Sequence, residues 1–248
     1  MNIVFLTTDD PIYLPSLFER VLAVRGRDSA VFVAPPLYKN QTTAQAAWRY
    51  YRTFGLAATY TLMARTLRAK LQKRSIATVC DRYGVLCEPV ADVNDPAFLD
   101  RLRVMGTEVI VSVSCPQIFD RPLIDLPRRG CLNVHGAVLP QYRGIMPSFW
   151  MLANDEREAG VSIFYVNEDV DAGELCGQQT FEIRAGESLD EFLRRSKAVA
   201  ADLILTVLAN VESESVSRTP LDLRKGSYYS WPDRQAVRRF QATGHRLW

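Results

Sequence analysis

Residues 131–144 read CLNVHGAVLPQYRG and bring together an Asn, one of the chain's two histidines and a Leu-Pro-Gln-Tyr-Arg-Gly turn. The apolar start, 131–134, has the length and composition of a buried strand. If it is one, Asn133 and His135 stand two residues apart at its end, and the period of two sends both side chains to one face. A second stretch, 166–173 (VNEDVDAG), is an acidic turn closed by Gly173 and holds Asp171. Whether these two loops meet depends on the sheet around them.

Upstream, residues 108–114 (EVIVSVS) form the most β-branched run and predict a central strand. Residues 3–6 predict a buried strand. Residues 11–25 carry helical spacing through Leu14, Leu17, Phe18, Val21, Leu22 and Val24, with Gly26 as a stop. Residues 30–34 predict the next strand, closed by Pro35 and Pro36, which completes a βαβ unit. A helix over 75–83, a strand over 85–90 and a helix capped by Asn94, with Pro96 in its first turn, continue the alternation. That alternation predicts an α/β fold with an open, mostly parallel sheet. Ligands bind such sheets beyond the carboxyl ends of the strands, where residues 112–118 and the loop after residue 134 fall. Downstream come a helix over 147–154, strands over 161–166 and 177–183, and a helix from Ser188 through 193–208.

Residues 40–74 interrupt the pattern with helical sequence bearing Arg49, Arg52, Arg65, Arg68, Lys70, Lys73 and Arg74. Two readings stand. The segment is a surface for a membrane, a partner or an anionic substrate, or a helical hairpin that covers the sheet while its basic residues snorkel outward. Residues 218–248 read as a polar, aromatic tail. The expected organisation is one domain over 1–210 with the insertion at 40–74, and an aromatic extension over 211–248 packed on it.

The 248 residues are 48% hydrophobic and 23% charged, enough for a sizeable core. Thirty basic and 28 acidic residues leave a net charge of +2, which gives no support for a nucleic-acid footprint over the whole protein. Five cysteines without C-x-x-C spacing suggest free thiols in a reducing compartment, neither disulfides nor zinc. With no secretory leader pattern and no apolar run long enough for a membrane span, the expectation is a cytoplasmic protein.

An imidazole, a carboxamide and a carboxylate in one crevice suit acyl transfer to an amine. His135 can take the proton that the amine loses. Asn133 can donate to the oxyanion, together with protonated His135. Asp171 can orient the imidazole and offset its charge, or hold a water that relays protons. The loop offers no Ser or Cys nucleophile, so direct transfer fits better than a covalent acyl-enzyme. Alone, a His after a strand is commonly structural and an Asp-Ala-Gly turn commonly just a turn; the joint pattern carries the reading.

The run NVHGAVLPQYRGIMPSFWML resembles the formyltransferase signature, in which Asn-x-His is followed by Leu-Pro-x-Tyr-Arg-Gly and Pro-x-x-Trp; Asp171-Ala-Gly173 matches its second signature. The resemblance spans about residues 75–195, with weaker agreement at the first strand. It implies a Rossmann-like formyltransferase fold, 10-formyltetrahydrofolate as formyl donor, no metal, and Asn133, His135 and Asp171 as the catalytic set. It places the pterin between Ser114, Cys115 and Ile118, the turn with Leu139, Arg143 and Gly144, and the acidic loop with Val170. Ile118, Leu139 and Val170 would form its apolar walls. Ala137-Val-Leu-Pro140 stands where the family often has Ser-Leu-Leu-Pro, and the insertion is longer than the usual connection.

The compact form with the tail Gly226-Ser-Tyr-Tyr-Ser-Trp-Pro232 is most similar to N-formyltransferases acting on nucleotide-linked amino sugars. The expected acceptor is therefore a small-molecule amine on a nucleotide-linked sugar, with Tyr142, Tyr228, Tyr229 and Trp231 as contacts. The tail aromatics either stack on a base or sugar or simply close the domain. Another small amine, such as a purine precursor, is the alternative, and initiator methionyl-tRNA comes third. A folate- or nucleotide-binding module is the non-enzyme alternative. Exposed aromatics in the insertion or tail could also serve a homodimer.

Overall fold

The computed structural model describes residues 1–35 and 42–248. Pro36, expected to help close the second strand, and Asn40, the expected start of the insertion, lie outside the described residues. The elements are β1 (Ile3–Thr8), α1 (Leu14–Arg25), β2 (Ser29–Ala34), α2 (Thr43–Leu71), α3 (Ile76–Tyr83), β3 (Leu86–Pro89), α4 (Pro96–Val104), β4 (Val109–Val113) and α5 (Arg121–Ile124). After them come β5 (Cys131–His135), β6 (Arg143–Gly144), α6 (Pro147–Ala153), β7 (Glu158–Tyr165), β8 (Leu175–Glu182), α7 (Leu189–Glu212), β9 (Tyr228–Tyr229) and α8 (Arg234–Ala242).

Seven strands form one sheet in the order β3-β2-β1-β4-β5-β7-β8. The pairs from β3 through β5 are parallel, and β5-β7 and β7-β8 are antiparallel. The fold is thus Rossmann-like α/β. The strand order reverses between β1 and β4, and β5, with Asn133 and His135, lies beside β4 at that switch point.

The two faces follow from the strand period of two. Ile3, Phe5, Val109, Val111 and Val113 pack under α1, α3 and α7. The alternate residues Val4, Leu6, Phe32 and Ile110 pack under α4 and α5. A third cluster joins Phe149 and Met151 of α6 to Phe192 of α7 and to Val237 and Phe240 of α8. The expected tail therefore contains a helix that seals α6. The expected boundary at 210 falls inside α7, which runs to Glu212.

Three local expectations are corrected. The cap of α4 is Asp95, whose carboxylate accepts from the Ala97 and Phe98 amides at 2.9 and 3.2 Å; Asn94 is engaged elsewhere. Helix α1 begins at Leu14, because Asp10 takes the Ile12 and Tyr13 amides into a turn first. The insertion is no hairpin over the sheet. It is two helical runs meeting at Gly55, whose φ of 87° breaks the helix, and it packs on α8.

Asp95→Ala is expected to lower stability by about 1 kcal/mol, because two amides lose their acceptor. Chemical denaturation checks it.

Candidate active site

Asn133 and His135 enter from the end of β5. Next to them, the acidic loop after β7 folds back so that Asp171, in the left-handed region at φ 50°, reaches the start of β6. Its Oδ2 accepts from the Gly144 amide at 2.8 Å. Its Oδ1 stands 3.6 Å from His135 Nδ1. Gly144 permits this with φ 95°; a Cβ there would lie 2.3 Å from the Tyr229 carbonyl oxygen. Arg143 clamps the same loop, its guanidinium donating to the Val170 carbonyl at 2.7 and 3.2 Å.

The hydrogen bonds settle which imidazole nitrogen is available. His135 Nε2 is 2.8 Å from the Tyr142 carbonyl oxygen. A carbonyl can only accept, so Nε2 carries the hydrogen. In the neutral ring Nδ1 is then the unprotonated base, and it faces the Asp171 carboxylate. His135 is buried, with 7% exposure. Asn133 and Asp171 stand in front of it on the wall of a cavity of about 300 Å³. Among the described residues the Asn133 carboxamide has no protein partner, which leaves its N–H groups free to donate.

The cavity takes in part of the expected donor contacts. Cys115, Ile118, Gly144 and Val170 line it, together with Phe119, Phe164 and Val166. Burial pushes the Cys115 thiol up to about 11, which leaves it a neutral wall. Leu139 does not line it: it is buried, its amide donates to Ser162 Oγ and its carbonyl accepts from Gln178. Ser114 points away, accepting from Lys197 Nζ at 3.1 Å.

Of the four expected acceptor contacts, Tyr228 alone lines the cavity. Tyr142 is buried; its hydroxyl donates to Glu156 and its ring stacks on Tyr229 at 5.2 Å. Tyr229 packs in turn on Trp150. Trp231 donates to Thr53 and lies under the Arg49 guanidinium, on the insertion side. These three close the domain: apolar surface on α6 and α2 was there to bury them.

Several residues at the site escaped sequence reasoning. Asn94 pins the loop that bears Ile118, donating to the Ile118 carbonyl and accepting from the Asp120 amide, both at 2.9 Å. Gln117 adds bonds to Val93 and Ala91. A signal existed: Asn94-Asp95-Pro96 holds two capping residues where one suffices. Asn94→Ala is expected to loosen the Ile118 wall and weaken donor affinity about fivefold, in line with about 1 kcal/mol for a lost hydrogen-bond pair. Calorimetric titration with folinic acid reads it.

Lys197 and Asp10 lie at the switch point, beside Ser114. Burial lowers the Lys197 ammonium from its ordinary range, and the attraction of Asp10 opposes this. Burial raises the Asp10 carboxyl, against the lowering effect of its bonds from Ile12 and Tyr13. Lys197 falls in helical phase with Leu193, Ala200 and Ile204, so a lysine on the inward stripe was visible in the sequence.

Among the described residues, no three His, Cys, Asp or Glu are grouped to hold a metal ion, and no helix is long and apolar enough to cross a membrane.

The family model described as formyl transferase matches residues 59–208. The chain belongs to this formyl transferase family. Methionyl-tRNA formyltransferase of Syntrophus aciditrophicus (strain SB) is 34% identical over 153 residues, covering 62% of this chain and 48% of that protein. The chain spans about half the length of the curated relatives it matches.

Among solved structures, a sugar N-formyltransferase from Shewanella sp. FDAARGOS_354 superposes with a TM-score of 0.60 at 18% identity, over 93% of this chain and 76% of that one. An N-formyltransferase from Helicobacter canadensis, in complex with folinic acid and dTDP-3-aminofucose, gives 0.61 at 14% identity, over 93% and 71%. At these identities the superpositions establish the shared formyltransferase fold.

Proposed function

We propose that this chain moves a formyl group from 10-formyltetrahydrofolate to a primary amine, and that the amine belongs to a nucleotide-linked amino sugar. The observation that carries the chemistry is that Asn133 and Asp171 line one cavity while the buried His135 stands 3.6 Å behind the Asp171 carboxylate. The cavity's size lies at the small end of ligand sites, and its lining mixes the apolar Ile118, Phe119, Ile145, Phe164, Val166 and Val170 with polar groups such as Gln117 and Asn133, a combination that can hold and orient a heterocycle.

In the proposed reaction the amine nitrogen attacks the formyl carbon. The Asn133 carboxamide donates to the oxygen that gains charge. His135 Nδ1 accepts the amine proton, since Nε2 is held by the Tyr142 carbonyl. The Asp171 carboxylate offsets the imidazolium charge. The bond from carbon to the folate nitrogen then breaks, and that nitrogen receives the proton. Binding of the donor falls to Ile118, Val170 and the backbone around them.

Two observations support the acceptor. The Helicobacter canadensis protein of the same fold was crystallised with folinic acid and a dTDP-amino sugar. Tyr228 presents an exposed ring at the cavity, with the Arg143 guanidinium 6.0 Å from its centre, and such a face can stack on a base or sugar. Initiator methionyl-tRNA is a second reading, favoured by the 34% identity to a methionyl-tRNA formyltransferase.

The test incubates the chain with 10-formyltetrahydrofolate and, in parallel, amino sugar nucleotides, a glycinamide ribonucleotide and methionyl-tRNA. Mass spectrometry of the products is the readout. Formylation of a sugar nucleotide is the expected result. Formylation of another acceptor alone reassigns the acceptor, and turnover of none defeats the transfer reading.

A further inference from the structure

Helix α2 is built inside out. Its second run, after Gly55, turns the small residues Ala58 and Ala69 toward the protein. Arg65 also faces inward, donating to Asp190 at 2.6 Å and lying 4.4 Å from the Trp248 ring centre. The large apolar residues face solvent: Leu56 is 73% exposed, Tyr60 72%, Met63 65%, Leu67 60% and Leu71 76%. Their spacings of four, three, four and four place them on one stripe. Trp48 and Tyr51, exposed and 5.4 Å apart by ring centres, lie on the run before the kink. A helix that leaves such a stripe in water has an occupant for it.

Charge identifies the occupant. From Thr42 to Cys80 there is no Asp or Glu, while Arg49, Arg52, Arg65, Arg68, Lys70, Lys73 and Arg74 all fall there. A second copy would bring the same cations against these, with no acid on either helix to pair them. Where the stripe ends, Arg65, Arg68, Arg74 and Arg194 line a cavity of about 340 Å³. Arg68 and Arg74 have no protein partner among the described residues. Arg65 and Arg194 are paired with Asp190, which leaves Arg68 and Arg74 as the free guanidinium donors at this cavity, and such donors suit a phosphate.

We propose that α2 is a membrane-surface element: the Leu56–Leu71 stripe lies in the boundary of an anionic bilayer, with a lipid phosphate in the arginine cavity. Apolar side chains enter the acyl boundary, Trp48, Tyr51 and Tyr60 take the headgroup level, and the basic residues meet the anionic headgroups. The chain lies on the surface and does not span. This assignment is independent of which acceptor the active site takes.

The test is co-sedimentation of the 248-residue chain with vesicles of phosphatidylcholine alone, or of phosphatidylcholine with about one third phosphatidylserine, an anionic lipid of the kind that attracts polybasic segments. The expected result is at least tenfold stronger partitioning to the anionic vesicles. Replacing Tyr60, Met63 and Leu67 together by Gln should abolish it, and Arg68→Glu with Arg74→Glu should weaken it about tenfold. All five side chains are exposed, so the variants keep the wild-type melting temperature. Three results would overturn the proposal. These are failure to bind anionic vesicles, binding that the Gln variant retains in full, and a wild-type dimer in light scattering that the Gln variant dissolves.

Discussion

Asp171→Asn is expected to lower kcat by about three orders of magnitude, in the range found when the partner of a catalytic imidazole is neutralised. The substitution isolates charge and tautomer from shape. Asn tolerates the left-handed backbone at φ 50°, and its carbonyl oxygen can still accept from the Gly144 amide, as Oδ2 does at 2.8 Å. The amide nitrogen then faces His135 Nδ1, which the carboxylate met at 3.6 Å. An N–H donated to Nδ1 occupies the lone pair that the proposal uses as base. The negative charge that would offset the imidazolium is gone as well. Folinic acid affinity should stay within about threefold, because the apolar walls are untouched. Steady-state rates beside calorimetric titration make the check. An Asp171→Asn variant within fivefold of wild type would remove His135 and Asp171 from the proposed reaction.

The second large effect is on stability. Gly173 ends the acidic loop with its Cα against the neighbouring strand: a Cβ there would lie 1.6 Å from the Tyr165 carbonyl oxygen and 2.8 Å from its carbon. The obstructing atoms are strand backbone, which cannot give as a flexible side chain would. Gly173→Ala is therefore expected to cost about 3 kcal/mol, at the upper end for inserting a methyl into packed structure. For a chain of this length that is a drop of roughly 6–12 °C in Tm. Gly186→Ala serves as the control. Its φ of 67° is also left-handed, yet nothing lies within 4 Å of the added Cβ, so it should cost only about 1 kcal/mol. Differential scanning calorimetry on both variants separates collision from backbone preference. Similar losses in the two would show that the loop moves to admit the methyl.

The sheet was legible because its signals are local. β-branched runs such as 109–113, and the helical spacing of Leu14 through Leu22, act through the chain's own periodicity. The resemblance around residues 131–144 then named the family. The cap of α4 was misplaced by one residue because Asn94 and Asp95 are equally good caps by type. The loop bearing Ile118 took Asn94, and that choice is made by contacts 24 and 26 residues away. The tail aromatics show the same limit. Tyr228 and Tyr229 are neighbours in sequence, yet one lines the cavity and the other stacks on Tyr142. Adjacent residues on an extended strand point to opposite sides, and only the partner surface says which side is the site.

By itself, the sequence determined an α/β chain, a strand ending in Asn133 and His135, an acidic turn with Asp171, and a helical insertion rich in arginine. Those properties follow from periodicity and residue type within short windows. Tertiary structure alone decided that Asp171 reaches both His135 and Gly144. It also decided that Nδ1 is the free nitrogen, that Leu139 and Trp231 are packing, and that α2 turns its large apolar side chains outward. Each of these depends on a partner distant in sequence: the Tyr142 carbonyl for the imidazole, Ser162 and Gln178 for Leu139, Thr53 for Trp231, and Asp190 for the inward Arg65. A hydrophobic stripe reads alike in sequence whether it faces core or solvent, because period records which residues share a face and not what that face meets.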